Sequence, residues 1–280
     1  MSRKNKIGKE TTERYIALFN YYYDRFIELS AVMFKWNNMP STVDVRFMEI
    51  TLFKNGMSLF FKDDVIGYLA LQNAAAGPFN VYNIPTQRRA IAANGYQQSL
   101  DESNSVIIYN NYLHNTNINT MKMYARKLAK IDMTIDINVN AQKTPILVKC
   151  SESQRLTMET LYDRYDGDHP YIFGDNGLNA KDFTVLSTSA PYVADKLYEL
   201  KNQIWNEALT YLGISNVSYQ KKERMVTDEV TRSQGGTIAS RYSRLQARQD
   251  ACKQINEMFG LNVSCEYRDD YQIVEDGDNV

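Results

Sequence analysis

The densest grouping of metal-ligating side chains in the 280-residue chain is YDRYDGDHP (162–170), where Asp163, Asp166 and Asp168 precede His169. Three carboxylates and an imidazole are the donor set of a hard divalent cation and of metal-assisted hydrolysis. The same Asp, Gly and Pro residues are also turn formers in their own right, and a polar turn closing a short helix is the preferred reading. The second histidine, His114, stands among asparagines after an apolar run and reads as a turn or surface residue. The chain contains no GxxxxGK[ST], GxGxxG, GxSxG or HExxH. QGGTIASR (234–241) resembles a phosphate loop superficially but lacks the lysine that reaches the phosphates. No residue set implies a cofactor, and the expectation is a protein that is not an enzyme.

Cations are arranged more regularly. Arg241, Arg244 and Arg248 fall on one helical face at i, i+3 and i+7, and Lys122, Arg126 and Lys130 on another at i, i+4 and i+8. Solvated stripes are the default for such spacing; pairing with acids of a neighbouring subunit is the alternative. Cys150, Cys252 and Cys265 show neither paired spacing nor CxxC, and read as buried reduced thiols.

These residues need elements to hold them. Tyr15, Leu18, Phe19, Tyr22, Phe26, Leu29 and Met33 predict a helix over 10–38 that ends before Pro40, with a second over 43–55. Short β-like runs broken by Gly and Pro follow, and NSVIIYNNYL (104–113) predicts a strand. Three long helices come next. Met121, Tyr124, Leu128, Ile131 and Ile135 step 3-4-3-4 within 117–138, and Leu197, Leu200, Ile204, Ala208 and Tyr211 do the same within 190–212. Ser189 is placed as N-cap of the latter, with Pro191 in its first turn and Gly213 beyond its end. Ile238, Tyr242, Leu245, Cys252, Ile255 and Phe259 share a face of 237–259, with Thr237 as N-cap. Each helix is roughly 33–35 Å long at 1.5 Å per residue. Between the first two lies a small α/β insert, 144–188. The expected class is therefore α+β and helix-dominated.

Charge is uneven along a chain of net charge −1. Residues 1–14 carry five positive and two negative charges, a net +3, and 266–280 carry one positive and six negative, a net −5. Such ends read as a basic arm and an acidic tail. No apolar run approaches the ~20 residues that cross a bilayer, so no membrane partner is expected. QKKERMVTDEV (220–230) joins the second and third long helices. The 21 residues from Asn216 to Gly236 are long for a plain connection, which points to function or disorder.

Particular stretches resemble a known family. NAQKTP (140–145), APYV with DKL (190–197), WNE (205–207), LGI (212–214), KKERMVTDEV (221–230) and INE with GLNV (255–263) are similar to the connector of small short-tailed phages with protein-primed genomes. That protein is also called the upper collar or portal protein. FKDDVIGYLA (61–70) and VIIYNN (106–111) extend the likeness over nearly the whole chain. The resemblance implies a twelve-subunit ring at one capsid vertex, in the virion, through which duplex DNA is packaged and ejected. It implies a portal fold: a stem of three long helices (117–143, 189–215, 237–260), a clip (144–188), a wing (15–116) joined by 261–280, and a channel loop (216–236). The implied DNA-channel residues are Lys196, Lys221, Lys222, Arg224 and Arg232. Of the family's two lysine rings Lys196 keeps one, while Ser187 replaces the other. Arg3, Lys4, Lys6 and Lys9 of the arm (1–14) are the implied contact with the packaging motor. Implied partners are further copies of the chain, double-stranded DNA, the major capsid and scaffolding proteins, a packaging ATPase with or without a packaging RNA, and lower-collar and tail proteins. A head–tail adaptor ring without a gating role is the rival reading.

Overall fold

The computed structural model describes residues 3–74, 77–142, 146–148, 183–185, 191–215 and 227–268. The chain divides into two units, one of residues 1–130 with 201–280 and one of residues 131–200. The class is mixed helix and sheet, as expected.

In the larger unit, helix α1 spans Arg3–Val32 and strand β1 spans Phe34–Asn37. The basic arm is thus helical from Arg3 onward, and the helix expected to end before Pro40 stops at Val32. Residues 34–37 belong to a sheet instead because they find a partner near the other end of the chain. Strand β9 (Ser264–Tyr267) pairs with them antiparallel, Trp36 opposite Cys265, and the Arg268 amide donates to the Met33 carbonyl. Helix α2 (Val45–Asn55) follows its predicted range closely. The Asp44 side chain accepts the Phe47 amide at 2.9 Å, and Gly56 closes the helix in the left-handed conformation at φ 81°. A side chain at Gly56 has no room, since a Cβ there would stand 3.0 Å from the backbone of His114, Asn115 and Thr116.

Strands β2 (Met57–Asp63), β3 (Gly67–Asn73), β4 (Gln87–Ile91), β5 (Gln97–Asp101) and β6 (Ser105–Tyr109) form an antiparallel sheet of order β5-β4-β3-β2-β6. Alternate residues serve two cores, because successive strand side chains face opposite ways. Leu59, Phe61, Ala90, Leu100 and Ile107 gather on one face. Phe60, Ala70, Val106 and Ile108 join the helices on the other. β5 and β6 run in the same direction through residues 102–104, and the Ser105 hydroxyl donates back to the Asp101 carbonyl. The sheet is thereby rolled around its smaller core.

Helices α3 (Ile118–Ala141), α4 (Ala194–Leu212) and α5 (Thr227–Phe259) are the three expected long helices. The α3 seam holds: Met121 and Leu128 are fully buried, with Ala125 between them. In α4, Ala208 and Leu212 are buried whereas Leu200 is 43% exposed. α5 departs most from expectation. It starts at Thr227 and runs through Gly235 and Gly236, so Thr237 is a buried mid-helix residue rather than a cap. Glycine costs only about 1 kcal/mol in a helix interior, which a 33-residue helix absorbs. Ile238 and Tyr242 face outward, and Arg244, Arg248, Ala251, Cys252 and Ile255 form the buried stripe.

In the smaller unit, strands β7 (Ile146–Val148) and β8 (Phe183–Val185) pair antiparallel, Ile146 opposite Val185. Both lie in the expected α/β insert, 144–188, whose remaining residues are outside those described. Pro191 precedes α4 instead of sitting in its first turn. The Asn138 amide fixes this entry, donating to the Pro191 carbonyl at 2.9 Å and accepting the Val193 amide at 3.0 Å. Ser189 is outside the described residues.

Candidate functional site

The expected channel and motor residues are placed unevenly. Lys196 is exposed in the first turn of α4. Arg232 lies in the backbone of α5, in the part that was expected to be loop; Lys221, Lys222, Arg224 and Ser187 lie outside the described residues. Arg3, Lys4, Lys6 and Lys9 lie in the first seven residues of α1. Lys9 is exposed and pairs with Glu13 at 3.7 Å, one helical turn on. Asp163, Asp166, Asp168 and His169 lie outside the described residues, and among those described no group of three or more His, Cys, Asp or Glu is placed to hold a metal. His114 is a turn residue, as expected, at φ 59° with its ring stacked on Tyr109 at 3.5 Å. Burial against that ring lowers its pKa.

The arginine stripe of α5 is where the sequence reading fails. It is neither a solvated face nor a contact kept for a neighbouring copy. Arg248 is 1% exposed and meets Glu49 of α2 side-on: Nε donates to Oε1 at 2.9 Å and Nη2 to Oε2 at 2.6 Å. Nη1 donates to the carbonyls of Asn110 and Arg244, and the guanidinium lies 4.1 Å from the Phe34 ring centre. Trp36 Nε1 donates to the same carboxylate at 2.8 Å. Burial disfavours the Arg248 charge, but the Glu49 carboxylate outweighs it and the pKa ends raised. Four segments of the chain thus meet on one ion pair.

One turn earlier, Arg244 is 4% exposed. Its Nη1 donates to the Ser240 carbonyl and hydroxyl, its plane lies 5.0 Å from the Tyr211 ring centre, and its pKa is pushed down to about 10 by burial. Arg241 locks α4 to α5. Its Nε donates to the Gly213 carbonyl at 3.1 Å, its Nη2 to the Ser215 hydroxyl at 2.9 Å, and it stacks 3.7 Å over Tyr267. Gly213 sits at φ 86°, so close that a Cβ would be 2.8 Å from the Arg241 Cα. Cys252 and Cys265 are buried free thiols, as expected, and burial pushes Cys252 up to about 12 and Cys265 higher. Cys150 is outside the described residues.

Large apolar side chains are exposed on all three long helices. Met123 (43%) on α3, Tyr198 (58%) on α4, and Ile238 (56%) and Tyr242 (65%) on α5 stand in solvent in the single chain.

The whole fold is the portal fold. The chain matches a protein in the portal and tail of native bacteriophage P68 with a TM-score of 0.54 at 16% identity, over 96% of this chain and 92% of that one. It matches a protein in the neck of a native gene transfer agent particle computed with C12 symmetry with a TM-score of 0.50 at 9% identity, over 93% and 85%. An HK97-family phage portal protein from Corynebacterium diphtheriae gives 0.45 at 9% identity, over 88% and 91%. A family model described as Phage Connector (GP10) matches residues 2–272, and the chain belongs to that family. It is a phage portal, or head–tail connector, protein of the virion's portal vertex. The family is structural rather than enzymatic.

Proposed function

We propose that twelve copies of this chain form the ring through which duplex DNA enters the capsid, is retained and leaves, and on which the packaging motor and tail dock. The carrying observation is the family match over residues 2–272. The exposed apolar residues of α3, α4 and α5 support assembly with further copies. In this reading 117–143, 189–215 and 237–260 are the stem, 144–188 the clip, and 15–116 with 261–280 the wing.

The channel is lined sparsely with cations. Duplex DNA carries a charge per about 1.7 Å, so a stem of about 35 Å spans on the order of 20 phosphates. One ring of Lys196 supplies twelve positive charges at one level, enough to centre the duplex without neutralising it. Contacts to backbone alone carry no sequence information, which suits sliding. Lys221, Lys222 and Arg224 of the connection between α4 and α5, with Arg232 on the first turns of α5, add weak contacts that check back-slippage of packaged DNA. Arg3, Lys4, Lys6 and Lys9 of α1 are the contact with the motor, a packaging ATPase with or without an RNA.

Heads assembled with residues 220–226 deleted, a change that spares α5, test the retention role. Rings should form, and packaged DNA should leak. Heads of normal DNA content would remove the channel role and leave an adaptor ring. Lys196→Ala should alter the salt dependence of DNA transit while leaving assembly intact; unchanged transit at every ionic strength would remove Lys196 from the channel.

A further inference from the structure

Arg244 and Arg248 lie one turn apart on α5, both more than nine-tenths buried, and they are treated differently. Arg248 presents its Nε–Nη2 edge to the two oxygens of Glu49. Arg244 presents the same edge to an amide: Nη2 is 3.4 Å from Asn117 Oδ1, and Nε has no acceptor among the described residues. Asn117 is fully buried, and its Nδ2, on the same amide group, has no acceptor either. Both unpartnered atoms are donors. Buried donors left without acceptors are costly, most of all on a charged group. The local charge is unbalanced in the same sense: the Glu49 carboxylate is taken by Arg248, and the Arg248 charge bears unfavourably on Arg244. Asn117 also occupies the N-cap position of the 24-residue α3, its carbonyl accepting the Met121 amide, and the helix dipole adds positive potential there.

We propose that the Arg244 Nε–Nη2 edge and the Asn117 amide at the start of α3 form a buried binding site for a small monovalent inorganic anion of halide size. The anion accepts from Nε and Nδ2 and offsets the second guanidinium. It ties α3 to α5, so halide becomes part of the packing of the long helices. This is independent of what passes through the ring.

The test uses the full-length assembled protein and bromide, exchanged against gluconate at constant ionic strength. In the wild type the melting temperature should rise by about 3–6 °C once bromide is tenfold above its Kd. Asn117→Asp gives Arg244 the carboxylate that Glu49 gives Arg248 and keeps a favoured capping residue, so it should fold and show no bromide response. Arg244→Met should also be unresponsive. A bromide-derivative crystal should give an anomalous peak within hydrogen-bond reach of Arg244 Nε. Equal bromide responses in wild type and Asn117→Asp, or a flat wild type without the peak, would overturn the site.

Discussion

Glu49→Gln is the substitution whose cost follows most directly from the fold. It keeps the size of the side chain and removes the only carboxylate that Arg248 meets among the described residues, at 2.9 and 2.6 Å. Arg248 stays 1% exposed, so its charge cannot be rehydrated without opening the contact between α2 and α5. Removing one partner of a buried pair costs about 3–5 kcal/mol. For a chain of this size that corresponds to a fall in melting temperature on the order of 10 °C. Trp36, one of two tryptophans in the chain, donates to the same carboxylate and reports the site by fluorescence. Guanidinium unfolding followed at Trp36, in a Trp205→Phe background and at fixed chain concentration, gives the number. Arg248→Met should cost a similar amount, and the Glu49→Gln, Arg248→Met double variant should be better than the sum of the two singles by about 2 kcal/mol or more. Single variants within about 1 kcal/mol of the parent would refute the claim that this pair organises the helix–sheet junction.

Four further outcomes follow from local geometry. The Tyr96 hydroxyl donates to Asp63 at 2.6 Å, holding the β2–β3 tip against the β4–β5 turn. Burial and that bond raise Tyr96 to about 12, so its contribution is complete below the unfolded value near 10 and lost as pH rises through 12; Tyr96→Phe should abolish this alkaline loss in a melting series. The Tyr96 bond and the Ile66 and Val65 amides lower Asp63, whose contribution is present above pH about 3.9 and lost as pH falls through its depressed value; Asp63→Asn should remove that acid loss. Cys252 and Cys265 should not react with a thiol reagent at pH 8 until the protein unfolds, measured in a Cys150→Ser variant; stoichiometric labelling of the native form would contradict their burial. Gly213→Ala should destabilise by about 2 kcal/mol or more, since it adds both left-handed strain and a clash with Arg241, and unchanged stability would count against the tight α4–α5 crossing.

The long helices were legible because their apolar spacing survives in one dimension: Met121, Leu128, Ala208 and Ile255 are buried where the pattern placed them. The ends of helices were less so. Gly235 and Gly236 read as a break, yet α5 runs through both. Residues 34–37 read as the end of a helix because their strand partner is some 230 residues away. The arginines misled for the same reason. A cation at helical spacing reads as solvated until its counter-charge is known, and Glu49 is 199 residues from Arg248. Only the two-donor edge of Arg244 and the uncharged Asn117, brought together by the fold, suggest the anion site. The family motifs, by contrast, were readable directly, since identity in a polar segment such as 221–230 does not depend on packing.

The proposed assembly is a ring of this chain around DNA at one capsid vertex. A localised, symmetry-free electron cryomicroscopy reconstruction of that vertex in DNA-filled particles tests it most directly. Twelve copies of the 32.3 kDa chain should surround an axial duplex, with Lys196 facing it. Density for the chain away from the axis, or a channel whose wall turns Lys196 away from the DNA, would contradict it.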